Sequence, residues 1–137
     1  MKRRLLVIIA IATLLVSFSS VTFADSYDLV IRMVDQANAT IETMIEKAII
    51  AANKITEAYD NAVEAAGDNE ELIAKLTDAY NKAIQKLGQS LVSSTSAISE
   101  SVIRTAAIFG VKVECYPVEV VLGNQVFIVD PLRVIDD

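Results

Sequence analysis

The sequence predicts a mainly α-helical protein in which a long antiparallel helical hairpin is followed by a C-terminal β-hairpin (α+β). Three observations lead to this fold class. Apolar residues recur at alternating spacings of four and three from Tyr27 to Ala66, a pattern typical of helices packed side by side as in a coiled coil. The segment Gly67-Asp68-Asn69 interrupts this pattern. From Val111 onward Val, Ile and Phe dominate and both prolines occur, which is typical of strands and turns.

The first 24 residues are predicted to be a secretory signal peptide and not part of the fold. Residues 1–4 contain three cations, residues 5–18 are uncharged and apolar, and Thr22 and Ala24 are the small residues that a signal peptidase reads. This layout predicts cleavage after Ala24 and a secreted or cell-envelope protein. The alternative is a retained anchor formed by residues 5–24, because about 20 uncharged residues can span a bilayer.

The charge balance of the chain limits its partners. The chain carries 12 Lys and Arg against 18 Asp and Glu, a net charge of −6. Three cations lie in residues 1–24, so residues 25–137 carry 9 basic and 18 acidic side chains, a net charge of −9. Phosphate backbones and anionic lipids repel such a domain. We therefore expect no nucleic-acid partner, and membrane contact only through the N-terminal segment if it is not cleaved.

Residues 25–110 are predicted to form the helical hairpin. Asn38 is the polar member of the apolar series on the first helix. It either fixes the register or the oligomeric state of packed helices at a cost in stability, or it lies where the helix is not yet packed. Asn38-Ala39-Thr40 also matches an N-glycosylation sequon. The apolar members of the series are Tyr27, Ile31, Val34, Ile41, Ile45, Ala48, Ala52, Ile55, Tyr59, Ala62 and Ala66.

The predicted turn of the helical hairpin begins at Gly67, which suits the left-handed conformation just past a helix end. Asp68 is the predicted N-cap of the second helix, with Glu71 as its capping-box partner. A turn this short requires the two helices to be antiparallel.

The second helix contains Gly88, followed by a segment rich in Ser and Thr. This segment is either a loop between two shorter helices or part of one continuous helix kinked near Gly88, and we favour the continuous helix. A break near Asn38 or Gly88 stays open, because helices of about 40 residues are much longer than the typical dozen.

Residues 111–137 are predicted to form a β-hairpin with the two-residue turn Gly123-Asn124, of type II′ or I′. Pairing of Leu122 with Gln125 sets its register. One face is then wholly apolar and must be covered, either by the helices or by a partner chain. This face consists of Tyr116, Val118, Val120, Phe127 and Val129.

Cys115 is the single cysteine of the chain, so it cannot form an internal disulfide. We interpret it as a small apolar residue inside a strand; the alternatives are an intermolecular disulfide and a reactive thiol. Val113 and Cys115 are at odd-numbered positions, whereas the face residues Tyr116, Val118 and Val120 are at even-numbered positions. Because side chains alternate between the two faces of a strand, this shift predicts a bulge or a bend near Tyr116-Pro117.

Few of the residue combinations that carry enzyme chemistry occur in the sequence. The chain has no His, so it contains no Ser–His or Cys–His pair, and its four glycines are scattered. The carboxylate pairs Glu42/Glu46 and Asp60/Glu64 could bind Ca²⁺ or act as acid and base, but they lie on a polar helix face where such pairs are usually solvated. We predict no enzyme activity, no cofactor and no metal.

The function class that fits these observations is an exported, non-catalytic structural or protein–protein interaction module. Two helices alone bury little, so the β-hairpin either folds over them or joins that of a second chain, with the helices forming a four-helix bundle. We expect self-association or a protein partner, bound by the edge of the β-hairpin or by uncovered helical surface. The alternatives are a membrane-surface or envelope-associated amphipathic protein and, with less support, a carboxylate-dependent enzyme.

Overall fold

The computed structural model describes residues 23–136 of the chain. Residues 1–22 of the predicted signal peptide lie outside the described residues, so cleavage and anchoring both stay predictions. Two long helices are followed by antiparallel strands, which confirms the predicted fold class. The elements are α1 (Phe23–Ala66), α2 (Glu70–Ile108), β1 (Val113–Cys115), β2 (Val118–Leu122), β3 (Gln125–Val129) and β4 (Leu132–Val134).

Both helices are continuous. α1 has 44 residues and α2 has 39, which corresponds to lengths of about 66 and 58 Å. Neither helix ends near Asn38 or Gly88, so the alternative of a break is wrong. The Ser/Thr-rich part of α2 is helical throughout, and its hydroxyls have acceptors both inside and outside the helix. Thr95 Oγ1, for example, donates to the carbonyl of Leu91 at 2.9 Å.

The turn between the helices differs in one detail from the prediction. Gly67 has a φ of 58°, as expected. The N-cap of α2 is Asn69, whose Oδ1 accepts from the N–H of Leu72 at 3.1 Å, so the assignment of Asp68 as the cap is wrong. Asp68 lies within the turn, because the Asn69 N–H still donates to the last carbonyl of α1 at 3.2 Å. Glu71 is therefore not at the capping-box position. Its carboxylate forms an ion pair with Lys75, which lies one turn further along α2.

The register of the β-hairpin is the predicted one. Leu122 pairs with Gln125 and Val120 pairs with Phe127. Gly123 has a φ of 56°, and no described residue other than glycine has a positive φ. The turn is therefore of type II′, in which only the first central residue needs a positive φ.

A second ladder, between β1 and β4, continues the hairpin in the same register. Between the two ladders the Tyr116 N–H donates to the Pro131 carbonyl at 2.9 Å. No residue is inserted into either strand, so the predicted bulge or bend is a bend. The ladder is interrupted here because Pro117 and Pro131 have no N–H to donate. We call the whole two-stranded structure, residues 113–134, the ribbon.

The ribbon packs along both helices and supplies the third element that the helical pair lacks. The core therefore closes within one chain. Its buried side chains form two clusters. The first contains Val30, Val34, Ala37, Ile41, Ile98, Val102, Ala106, Val111 and Leu132. The second contains Ala48, Ala52, Tyr80, Ile84, Leu91, Val120, Leu122 and Val129.

The ribbon covers only part of the helical pair. Its turn, at Gly123, lies against the side chains of Tyr80 and Ile84. None of the residues between Ala52 and Tyr80, all of which the structure describes, is buried. We call residues 53–79 the tip, and residues 23–52 and 80–108 the covered half.

Candidate functional site

The inner face of the ribbon is core. Val120 and Val129 are 4% and 1% exposed, while Tyr116 lies near the bend, half-buried and in neither cluster. Leu122, at 0% exposure, shares this face and was missed by the sequence analysis. Its parity with Val118 and Val120 was the signal that could have identified it. The predicted face residues that contribute to the second cluster are Val118, Val120, Phe127 and Val129.

Gly88 is required by the packing of Phe127. Gly88 is buried within α2, and a Cβ built there lies only 2.1 Å from atoms of the Phe127 ring. The ring therefore rests on the helix backbone at the one position without a side chain. Gly88 was predicted to kink the helix, although a glycine within an apolar helical stripe is also a signal for close packing.

Asn38 fixes the position of β4 on α1. Its Nδ2 donates to the Leu132 carbonyl at 2.8 Å, and its Oδ1 accepts from the Leu132 N–H at 2.8 Å. The side-chain amide thus satisfies the backbone of a strand residue as a neighbouring strand would. The alternative that the helix is not packed at Asn38 is therefore wrong. Asn38 fixes the position of the ribbon along the helix. The same contact engages the nitrogen that N-glycosylation would modify.

Further polar contacts hold the ribbon along α2. Ser99 Oγ donates to the Asp130 carbonyl at 2.7 Å, next to the bend. Gln125 Nε2 donates to the Asn81 carbonyl at 3.0 Å, next to the turn. The first bond joins a helix side chain to the backbone just after β3, and the second joins a β3 side chain to the helix backbone. Together they fix both ends of β3 on α2.

The residues after the ribbon also contact α1. The hydroxyl of Tyr27 donates to the carboxylate of Asp136. This hydrogen bond raises the pKa of the Tyr27 hydroxyl above its ordinary value, because it favours the protonated phenol. The contact holds the chain after β4 near the start of α1.

The outer face of the ribbon is exposed and largely apolar. Val121, Val126 and Ile128 are 61%, 57% and 44% exposed. Val121 pairs directly with Val126, and Ile128 pairs with Glu119 on the same face. We call Val121, Val126 and Ile128 the outer patch. The strands β2 and β3 belong to a two-stranded sheet, so each has one edge that no described strand covers.

Cys115 lies in β1, inside a strand as predicted, and the residue is exposed. Partial burial raises the pKa of the Cys115 thiol, and the negative charge of Asp130 raises it further, against the opposing effect of a hydrogen bond with Ser99. A raised pKa lowers the thiolate fraction at neutral pH and therefore the nucleophilicity of this sulfur.

The predicted carboxylate pairs both lie on α1. Glu42, Glu46, Asp60 and Glu64 are all exposed on the helix surface. Within residues 23–136, no three Cys, Asp or Glu side chains are grouped so that they could hold a metal ion. A shallow open depression of about 270 Å³ lies between the helices, and its lining contains no carboxylate. It is lined by Met44, Lys47, Ala48, Leu87, Ser90, Leu91 and Ser94.

Comparisons with protein-family models, with curated proteins and with solved structures find no match for this chain. Neither described helix, although both are long, has a stretch apolar enough to cross a membrane. The surfaces that the fold leaves uncovered are therefore the basis for any functional conclusion.

Proposed function

We propose that this chain is an exported, non-catalytic structural or protein–protein interaction module that self-associates through its ribbon. The observation that carries this proposal is the outer patch. Three branched apolar side chains lie next to one another there, and the largest is 44% exposed, whereas the inner face of the same ribbon is core. A soluble domain gains by covering such a patch.

The free edges of the ribbon support a second copy as the occupant. β2 and β3 are each five residues long, and their outer edges carry backbone N–H and C=O groups that a further antiparallel strand can bind. Two ribbons joined edge to edge form a four-stranded sheet, in which the outer patches of both copies become neighbours on one face. The core already closes within one chain, so this association does not require the helices to form a four-helix bundle.

The oligomeric state of residues 25–137 tests this proposal. We expect light scattering over about 5 to 500 μM protein to show a mass that rises toward that of a dimer, because an edge contact of this size is in the weak, concentration-dependent range. The double substitution Val121→Lys/Val126→Lys places charges in the outer patch and should keep the chain monomeric throughout.

The matched control is Ile49→Lys/Ile50→Lys, which replaces two apolar side chains on α1 that are 38% and 55% exposed. This variant should dimerise like the parent chain. A parent chain that stays monomeric at all concentrations contradicts self-association, and equal effects of the two double substitutions contradict the ribbon as the interface.

Export is the part of the proposal that rests on residues 1–24. Intact-mass analysis of the protein recovered from an expressing host should give a chain that begins at Asp25. A chain that still begins at Met1 and sediments with membranes favours the retained anchor formed by residues 5–24.

The membrane-surface alternative is separated from the proposal by sedimentation of residues 25–137 with neutral and anionic liposomes. We expect no co-sedimentation, because the exposed apolar residues of the ribbon lack the basic rim that lipid-binding surfaces usually have and the domain is acidic. Binding to either kind of liposome favours the alternative.

A further inference from the structure

Asn38 lies in the one N-glycosylation sequon of the chain, Asn38-Ala39-Thr40. Both polar atoms of its side-chain amide bind the backbone of a single residue, Leu132, at 2.8 Å. Asn38 is half-buried, and Leu132 is 1% exposed. The nitrogen that the sequence marks for a glycan is therefore covered by β4 of the ribbon.

The geometry of this contact determines which hydrogen of the amide is donated. Oδ1 and Nδ2 of Asn38 bind the N–H and the carbonyl of the same residue, so the donated hydrogen lies on the same side of the amide as Oδ1. A sugar attached to Nδ2 takes this side, because the substituent of a secondary amide lies trans to the carbon chain and next to the oxygen. The first sugar and the Leu132 carbonyl would therefore occupy the same place.

N-glycosylation of Asn38 would remove the hydrogen bond to Leu132. In this reaction Nδ2 attacks C1 of an oligosaccharide carried on a polyprenyl diphosphate. The new C–N bond forms as the C–O bond to the diphosphate breaks, the diphosphate leaves with the electron pair, and Nδ2 loses one proton. The remaining N–H points toward the side-chain carbons, away from Leu132, and a bulky polar group is added.

Leu132 is also a member of the first core cluster, where it is buried with Val30, Val34 and Val102. If β4 cannot approach α1 at Asn38, the apolar side chains of this cluster stay in contact with water. A glycan on Asn38 would therefore affect the core as well as one hydrogen bond.

We propose that a docked ribbon and an N-glycan on Asn38 exclude each other, so that this chain folds only on an export route that leaves its sequon unmodified. Leu132 is synthesised 94 residues after Asn38, so an enzyme that modifies emerging chains meets Asn38 before the ribbon exists. The biological meaning of this inference rests on the proposed export of the chain. The exclusion itself depends neither on export nor on self-association.

The first test offers the folded chain to the glycosylating enzyme. Residues 25–137, purified from a host that attaches no N-glycans, are incubated with an oligosaccharyltransferase and its polyprenyl-diphosphate-linked oligosaccharide. A synthetic peptide of residues 30–46, which contains the sequon but no ribbon, is the control. Mass spectrometry should show modification about twentyfold slower for the folded chain, because modification requires local opening of the ribbon. Equal rates for the two substrates overturn the proposal.

The second test uses a chain that already carries the glycan. Residues 25–137 behind a secretory signal are produced in a cell that attaches N-glycans, and the form glycosylated at Asn38 is isolated by lectin affinity. Thr40→Ala, a change at an exposed position, removes the sequon and supplies the unmodified chain from the same cell. Val63→Thr in the Thr40→Ala background places the glycan on Asn61, an exposed residue of the same helix.

We expect amide exchange at Leu132 to be at least about tenfold faster in the Asn38 glycoform than in Thr40→Ala, because the ribbon is not docked. The Asn61 glycoform should stay within about twofold of Thr40→Ala. Equal protection of Leu132 in the Asn38 glycoform and in Thr40→Ala overturns the proposal, and so does equal acceleration in both glycoforms. A chain that keeps residues 1–24 in its own host refutes the proposed export alone, because both tests use residues 25–137.

Discussion

The covered half and the tip have the same apolar spacing but different surroundings. On α1, Ile41, Ala48 and Ala52 of the series are 1%, 5% and 1% exposed, whereas no member of the series in the tip is buried. This difference is due to the ribbon, which covers the helices only as far as Tyr80, where its turn lies. A heptad pattern therefore indicates which face of a helix is apolar, but a third element decides how much of that face is buried.

The largest expected effect is the loss of stability when an apolar side chain of the covered half is truncated, compared with the same kind of truncation in the tip. Ile84→Ala removes a side chain of 0% exposure and should lower the free energy of unfolding by about 2–5 kcal/mol, because a cavity is left. Leu76→Ala in the tip should cost only about 1 kcal/mol, because less surface returns to water. Denaturant unfolding measures both, and equal losses contradict the distinction between covered half and tip.

Asn38→Ala tests the contact that positions the ribbon. Two hydrogen bonds to the Leu132 backbone are lost, one of them leaving a partly buried N–H without its acceptor, so we expect a loss of about 2–3 kcal/mol. Asn61→Ala, the same change at an exposed position in the tip, should stay within about 0.5 kcal/mol. Faster amide exchange at Leu132 in the Asn38 variant identifies the contact responsible, and unchanged exchange there contradicts it.

Gly88→Ala reverses the usual order of helix propensity. Alanine is favoured over glycine in a helix interior by about 1 kcal/mol, but here the new methyl group overlaps the Phe127 ring, so we expect a net loss of about 1–2 kcal/mol. In the background Phe127→Leu the loss should shrink or change sign, which a double-mutant cycle measures. Gln89→Ala, at the exposed neighbouring position, should be close to neutral, and a stabilising Gly88→Ala in the parent chain refutes the packing argument.

The smallest expected effect lies in the tip. Asn69→Ala removes the N-cap of α2 and should cost about 1 kcal/mol, whereas Asp68→Ala should cost clearly less, because Asp68 lies in the turn. Thermal or denaturant unfolding compares the two. A larger loss of stability for Asp68→Ala than for Asn69→Ala would identify Asp68 as the cap.

Much of the architecture was predictable because it follows from local rules. The spacing of apolar residues identified both helices, and Gly67 and Gly123 marked the turns because each position requires a positive φ. The pairing of Val120 with Phe127 followed from the two-residue turn alone. The N-cap was misassigned by one residue, because Asp68 and Asn69 are both good caps and only the path of the backbone through the turn selects between them.

The exposed surfaces were harder to predict than the elements. Both faces of the ribbon are rich in Val and Ile, so the sequence identified the apolar face that needs a cover but did not show how far the residues of the outer patch stay exposed. Cys115 was placed in the correct strand, but the sequence did not show that it stays exposed. The acidic character of the tip was readable from the sequence, but the absence of a covering element was not.

The sequence by itself determined the helical hairpin, its turn and the register of the β-hairpin, because spacing, glycine positions and turn length act over a few residues. Only the tertiary structure decided where the ribbon lies, and with it which half of the helical pair is covered. That placement depends on contacts between residues far apart in the chain, Asn38 with Leu132 and Gly88 with Phe127. Neither residue of a pair predicts its partner from the sequence. The amide can bind a strand backbone, and the glycine can accommodate an aromatic ring, only after the ribbon has packed on the helices.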